Sequence, residues 1–316
     1  ERCGTGVLYS KESERILKEL MSLKNNPFFS EDISFEILRQ FHKQFSHFSS
    51  EARCAVDLAM CDFLSKKGQM LAIGLFEVIN KGSDSTFSFS IGAVDAGSMR
   101  KQTEKALEWN IIKYKISNEN IHLIPWDLLD NKTLILDFDG AYTKFEMFYG
   151  EIIENVPNLS QRRIILAEPF HFGINNKELD KLFDLVKSEK NLHVIFDDSA
   201  LTIEDVLKIH KRFPLSGFNI KLQKMGGLYP AVEIIKNLGE DNKVMFGCLY
   251  ETSLSIAAAA QLKYMLRESI DDLDADLYTG IDSDSPIVTP RGRFVKNQIG
   301  IGYEPNINNL EEIKNL

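Results

Sequence analysis

The sequence has few cysteines and no long apolar run. Its 316 residues include 4 cysteines, and no two of them form a Cys-x-x-Cys pair, which argues against a disulfide scaffold and for a reduced compartment. The longest candidate for a membrane span, Ile256–Leu262, is far short of the ~20 residues that a span needs, and we expect no signal peptide or Arg-rich transit segment. The net charge is −9 and the lysines and arginines are scattered. We therefore expect a cytoplasmic protein with neither nucleic acid nor membrane as a partner.

Phosphate-binding glycine motifs are also missing. No Gly-x-Gly-x-x-Gly opens a helix after a strand-like run, and no P-loop is present. The first part of the sequence instead shows helical periodicity. It occurs in Glu12–Leu23, in the segment after Ser34, and in the segment that begins after Ser50 and stops at Gly68. This pattern predicts a mainly helical capping domain over residues 1–85, which the polar tail 295–316 joins.

From Phe87 onward, short β-branched runs alternate with helical stretches, which predicts a (β/α)8-type barrel over residues 86–294. A doubly wound sheet is the second choice. The predicted strands are Phe87–Ile91, Asn110–Ile116, Thr133–Leu136, Arg163–Ala167, Leu192–Phe196, Gly217–Leu222, Lys243–Cys248 and a weaker one at Asp272–Tyr278.

Charged residues stand at the ends of these strands, and in a parallel barrel all those ends face one cavity. Acids that share a cavity repel one another unless a cation neutralises them, and oxygen ligands alone suit Mg²⁺. Lysines beside such a cation have a lowered pKa and act as acid or base, which suits removal of a proton next to a carboxylate. The candidates are Lys113, Lys115, Asp137, Glu168, Asp197, Lys221, Asp272 and Asp274.

Several segments resemble the enolase superfamily, in its muconate-lactonising subgroup, and most closely its dipeptide (L-Ala-D/L-Glu) epimerases. They are the helix Ala52–Lys67, the strand Ser88–Gly92, the Lys-x-Lys of Lys113–Lys115, Asn219–Gly227 (NIKLQKMGG), Met245–Thr252 (MFGCLYET) and the Asp-x-Asp of Asp272–Asp274. The resemblance implies a modified TIM barrel and an isomerase that uses Mg²⁺.

The same resemblance implies roles for the charged residues. Lys115 and Lys221 match the acid/base pair, and Lys224 is the alternative to Lys221. Asp137 and Asp197 match metal ligands. Asp272 and Asp274 match the pair that holds the α-ammonium group of a dipeptide, and Lys113 is assigned to substrate binding. The implied partner is a small molecule, a dipeptide or a related carboxylate, and a homo-oligomer is left open.

The sequence departs from the family pattern at the fourth strand, where Ala167 stands at the position of the third metal ligand and Glu168 follows it. Glu168 is the candidate replacement if the strand end is distorted. Asp139 stands where the family has Asn, and the short stretch from Lys115 to Asp137 predicts a reduced crossover helix. The β-meander that precedes the equivalent of Glu1 in the family is expected to be missing, either from this sequence or from the protein. Two alternatives remain open: a lyase like the o-succinylbenzoate synthases, and a non-catalytic relative with a degraded metal site.

Overall fold

The computed structural model describes residues 10–30, 32–78, 84–92, 95–116, 120–238, 243–249, 251–274, 288–289, 292–293 and 299–304. Its first part is helical, with α1 (Ser10–Ser22), α2 (Phe35–Gln44) and α3 (Ser50–Lys67). Serine side chains cap the N-termini of two of these helices. Ser34 Oγ accepts a hydrogen bond from Ile37 N at the start of α2, and Ser49 Oγ accepts one from Ala52 N at the start of α3. Gly68 follows α3, as the sequence predicts.

Eight parallel strands form a closed barrel in the order β1 to β8, which confirms the predicted fold and excludes the doubly wound sheet. The strands are β1 (Asp84–Ile91), β2 (Ile111–Lys115), β3 (Thr133–Asp137), β4 (Arg163–Ala167), β5 (Leu192–Phe196), β6 (Gly217–Ile220), β7 (Val244–Gly247) and β8 (Glu268–Asp272). A short antiparallel pair, β9 (Val288–Thr289) and β10 (Gly292–Arg293), follows. The predicted position of the eighth strand is wrong, because Asp272 ends β8 and does not begin it.

Helices surround the barrel and connect its strands. They are α4 (Ala96–Ala106), α5 (Phe145–Asn155), α6 (Asn176–Ser188), α7 (Ile203–Arg212), the single turn α8 (Leu222–Met225), α9 (Leu228–Leu238) and α10 (Ser253–Gln261). Between β2 and β3, the described residues contain only the 3₁₀ turns Ile121–Leu123 and Trp126–Leu128. The predicted reduction of this crossover is therefore confirmed.

Side chains that point into the barrel come from every second residue of each strand. One set forms an apolar layer across the middle, which we call the interior layer: Ile111, Ile135, Ile165, Ala167, Ile195 and Met245, with Ile270 packed against them. Polar residues lie on both sides of this layer. Those at the carboxyl ends of the strands include the predicted site residues, and we call that end the mouth.

Asp57 of α3 attaches the helical part to the barrel. Its buried carboxylate accepts from Leu228 N at 2.6 Å and Tyr229 N at 3.2 Å, where α9 begins. Gly227 has no room for a side chain, since a Cβ there would lie 2.3 Å from the Asp57 carboxyl carbon. The tail also contacts the helical part, because Ala72 N donates to Gly300 O at 2.8 Å.

The boundaries at 1–85, 86–294 and 295–316 remain predictions, and residues 305–316 of the tail lie outside the described residues. Of the helices that the structure describes, none has the length and apolar character to cross a membrane.

Candidate active site

The two lysines of β2 lie among carboxylates at the mouth. Lys113 is buried, contacts Asp272 directly, and lies 3.2 Å from Asp137 Oδ2. Burial opposes its charge, but Asp272 and Asp137 outweigh burial and raise the pKa of Lys113 well above its ordinary value. Lys115 is more exposed; its Nζ lies 2.6 Å from Asp137 Oδ2 and 3.3 Å from Asp139 Oδ1. Both lysines are therefore ion-paired across the end of the strand.

Asp137 ends β3 and is almost fully buried. Burial alone would raise its pKa, but Lys113 and Lys115 outweigh burial and lower the pKa of Asp137 to about 2. Both lysines lie near Oδ2, whereas Oδ1 is buried and accepts no hydrogen bond from any described residue. A buried carboxylate oxygen without a donor is rare, so this atom is available to a ligand.

Asp197 follows β5 and is held by the residues of β6 and α8. Lys221 Nζ and Asn219 Nδ2 donate to Oδ2 at 2.6 and 2.9 Å, and Lys224 Nζ donates to Oδ1 at 2.8 Å. Lys224 also contacts Asp198. The two lysines overcome burial and hold the pKa of Asp197 well below its usual range. Burial would lower the pKa of Lys221, but Asp197 outweighs it and raises that pKa, so this ammonium is the stable form.

The end of β4 differs from the regular strand ends beside it. Ala167 is the last strand residue, pairs in register with Asp137, and is buried in the interior layer. Glu168 then adopts a left-handed backbone with φ 44°. Its carboxylate accepts from Asp197 N at 2.5 Å and from Ser199 Oγ, and lies 3.1 Å from His171 Nδ1. Burial raises the pKa of Glu168 despite these donors.

The carboxylates at the mouth fit a Mg²⁺ site in part. Asp137 and Asp197 supply two buried oxygen-ligand groups, and Asp137 Oδ1 has no other partner in the described part of the chain. The end of β4 adds no carboxylate to them, since Ala167 has no ligand atom and donors of the β5 loop hold Glu168. Within the described residues, no three His, Cys, Asp or Glu side chains are grouped to hold a metal ion. The role of Glu168 as a ligand remains a prediction.

The Asp-x-Asp pair of β8 lies beside β1. Asp272 Oδ1 accepts from Ser88 Oγ at 2.7 Å, and Asp274 Oδ2 accepts from Ser90 N at 2.7 Å. Burial first, and then the neighbouring Asp272 charge, raise the pKa of Asp274 to about 6. Sequence reasoning assigned no role to Ser88 and Ser90. The signal was available, because the Ser-Phe-Ser alternation places two polar side chains on one face of a strand.

A cavity of about 540 Å³ lies at the mouth, lined by Lys115, Lys221 and Lys224. Ser50 and Glu51, at the beginning of α3, also line it, so the helical part contributes to the cavity wall. No motif in the sequence marks these two residues. Lys115 ends β2 and Lys221 directly follows β6. These strands are four places apart in a ring of eight, so the two lysines approach from opposite sides.

The chain was compared with family models, with curated proteins and with solved structures. No family model matches. The L-Ala-D/L-amino acid epimerase of Maribacter sp. is 32% identical over 271 residues, which cover 80% of this chain and 72% of that protein. The L-Ala-D/L-Glu epimerase of Bacteroides thetaiotaomicron is 25% identical over 301 residues, which cover 93% of this chain and 75% of that protein.

The similar solved structures have the same barrel fold. One is a mandelate racemase/muconate lactonizing enzyme from Sorangium cellulosum, with a TM-score of 0.70, 21% identity, and coverage of 85% of this chain and 76% of that one. A dipeptide epimerase from Methylococcus capsulatus, complexed with Mg, has a TM-score of 0.68, 20% identity, and coverage of 86% and 80%. The chain belongs to the dipeptide epimerase family of the enolase superfamily, and is thus an isomerase of the epimerase and racemase type.

Proposed function

We propose that this chain inverts the α-carbon of one residue of a dipeptide, with Lys115 and Lys221 as its two catalytic residues. The observation that carries the proposal is their placement at the ends of β2 and β6, on opposite sides of the mouth cavity. Inversion requires that a proton leave one face of the carbon and return to the other. Two bases on opposite sides meet that requirement, whereas two bases on one side do not.

The ion pairs of the two lysines bear on their protonation states. Lys221 is held as an ammonium by Asp197, and Lys115 is paired with Asp137 at 2.6 Å. One lysine must lose its proton before it removes the α-proton, and the other must keep its proton in order to deliver it. A Mg²⁺ ion on Asp137 and Asp197 would stabilise the negative charge that develops on the substrate carboxylate and release both lysines from these partners.

The other end of the substrate is assigned to Asp272, Asp274 and Lys113. Lys113 already contacts Asp272, and this leaves Asp274, whose carboxylate is buried beside them, as the nearest additional negative charge. An ammonium group near Asp274 would donate charge-assisted hydrogen bonds to its carboxylate. Relatives named for L-Ala-D/L-Glu suggest that dipeptide as the first substrate to test.

The experiment is deuterium exchange at the α-carbon of L-Ala-L-Glu and L-Ala-D-Glu in the presence of Mg²⁺. We expect Lys115→Ala to lower the exchange rate of one epimer and Lys221→Ala to lower that of the other, each by ~100-fold or more. Lys187→Ala is the matched control, because Lys187 is an exposed lysine of α6 that pairs with Asp184 away from the mouth. Retention of both exchanges in either mouth variant would contradict the two-base mechanism.

A second candidate is a non-catalytic relative that binds a carboxylate ligand at the same mouth. The observation in its favour is Ala167, which supplies no ligand atom where the resemblance places the third one. Titration of Mg²⁺ into the wild-type protein and Glu168→Gln separates the two. Millimolar or tighter binding that weakens in the variant supports the epimerase with Glu168 as a ligand. No Mg²⁺ binding, together with no exchange, supports the non-catalytic relative.

A further inference from the structure

A second cavity opens at the opposite end of the barrel, where the strands begin. Its volume is about 1080 Å³, against about 540 Å³ at the mouth. Basic side chains line it, and we call the group of Arg163, Lys190, His193 and Lys243 the basic floor. None of these residues belongs to the site described above, so the floor calls for its own explanation.

The strand alternation directs three of the four into the barrel. Arg163, His193 and Lys243 each lie two residues before a member of the interior layer, on β4, on β5 and directly before β7. Residues two apart on a strand share a face, so these three side chains lie below the interior layer. Lys190 precedes β5 and lines the same cavity. The floor is therefore a concave group and not a row along an exposed helix.

In the part of the chain that the structure describes, no carboxylate lies within ion-pair distance of these cations. Within the described residues, Arg163, Lys190 and Lys243 form no ion pair; Lys243 Nζ instead donates to His193 Nε2 at 2.8 Å. Partial burial lowers the pKa of both Lys243 and His193. Among the described residues that line the cavity, Glu268 is the only one with a carboxylate. The basic groups thus stand close together with little to neutralise them.

The rest of the protein shows that this is not a general shortage of acids. Asp and Glu outnumber Lys and Arg by 46 to 37. Several exposed lysines elsewhere have a carboxylate partner: Lys181 pairs with Glu146 at 2.8 Å, and Lys187 pairs with Asp184 at 2.9 Å. A cluster of unpaired cations in an acidic chain is a local site of positive potential, which attracts anions.

We propose that the basic floor binds an oligophosphate anion. The fork of a guanidinium matches two phosphate oxygens, while the ammonium groups of Lys190 and Lys243 supply point charges. Asn110, Asn131 and Thr133 line the same cavity and add uncharged polar groups. A cavity of this volume holds an anion of several phosphate groups, and one carboxylate leaves a net positive charge for it.

The test is calorimetric titration of inorganic pyrophosphate into the full chain at low and at physiological salt. We expect one site per chain, an affinity that falls as salt rises, and a loss of about tenfold in each of Arg163→Ala and Lys190→Ala, since each removes a charge-assisted contact. Arg163→Lys is expected to lose less than Arg163→Ala. Both residues are exposed, so truncation leaves the core intact, which circular dichroism verifies.

Two further variants decide where the anion binds. Lys187→Ala removes the same charge from α6 and is expected to bind pyrophosphate as the wild type does. Lys224→Ala removes a lysine of the mouth and is likewise expected to leave the floor unaffected. Absence of binding by the wild type, wild-type affinity in both floor variants, or a loss in Lys224→Ala alone would overturn the proposal. Because the readout is pyrophosphate binding, its failure is separate from a failure of the epimerase proposal.

Discussion

Replacing Ala167 with Glu tests the interpretation of the mouth as a two-carboxylate metal site. Ala167 pairs in register with Asp137 on the neighbouring strand, and both are almost fully buried. Adjacent strands lie about 4.8 Å apart, so the new carboxylate would begin beside that of Asp137 and point into the same space. At a separation of about 5 Å and an effective dielectric constant of about 20, two like charges repel by about 3 kcal/mol.

We therefore expect Ala167→Glu to lower the free energy of unfolding without Mg²⁺. About 3 kcal/mol of the loss comes from charge repulsion, and about 1–3 kcal/mol comes from overpacking of the interior layer. Ala167→Gln is the control, because it adds the same bulk without the charge. The difference between the two variants isolates the electrostatic part of the loss.

The assay is urea unfolding of both variants with and without Mg²⁺. If the added carboxylate completes the site, Mg²⁺ at 100 times its Kd returns about 2.7 kcal/mol to Ala167→Glu and much less to Ala167→Gln. An equal response of the two variants to Mg²⁺ would refute the reasoning, because position 167 would then not face the cation. The wild type serves as the reference for the two-carboxylate site.

Three further predictions concern stability. Gly140→Ala should lower the melting temperature, because Gly140 has φ +72° and a Cβ there would lie 2.1 Å from His171 Nε2, whereas Gly150→Ala in α5, with open space around it, should raise it slightly. Asp274→Asn should stabilise the protein at pH 8 but not at pH 3.5, because the raised pKa of about 6 means that ionisation of Asp274 destabilises the fold. This penalty is absent below about pH 4 and reaches its full value, at most about 3 kcal/mol, above pH 6. An equal change in stability at both pH values would contradict the prediction. Asp57→Ala should cost about 2–4 kcal/mol in urea unfolding, since it leaves the buried N–H of Leu228 and the partly buried N–H of Tyr229 unpaired at the start of α9. A loss below about 1 kcal/mol would show that water replaces the carboxylate.

The barrel could be predicted from the sequence where a strand is a short apolar run between polar turns. β4 and β5 have the predicted limits, because Arg163–Ala167 and Leu192–Phe196 are such runs. The last strand was misplaced, because Glu268–Asp272 reads Glu-Ser-Ile-Asp-Asp and lacks an apolar pattern. Inside a barrel that carries charged residues on its inner face, buried strand positions are not all apolar, and a rule based on hydrophobic pattern then fails.

The residue types at the mouth could also be predicted, but not their partners. Lys113 and Asp272 are 159 positions apart, and only closure of the barrel between β1 and β8 brings them into contact. The hydrogen-bond donors to the Glu168 carboxylate cannot be predicted from the sequence for a related reason. Its left-handed backbone turns the carboxylate toward Ser199, and a period of two along the strand carries no information about such a turn.

The period of two on β4 also limits how this protein can change during evolution. Arg163, Ile165 and Ala167 occupy the inward positions of one five-residue strand, from the floor to the mouth. Deletion of a single residue within the strand would bring Glu168 inward but would also displace residues of the interior layer: loss of Leu166 turns Ala167 outward, and loss of Ile164 turns both Ile165 and Ala167 outward. Gains and losses of length are therefore confined to the loops, and a change of ligand at the fourth strand is reached through point substitution at position 167 or through a local turn such as the one at Glu168.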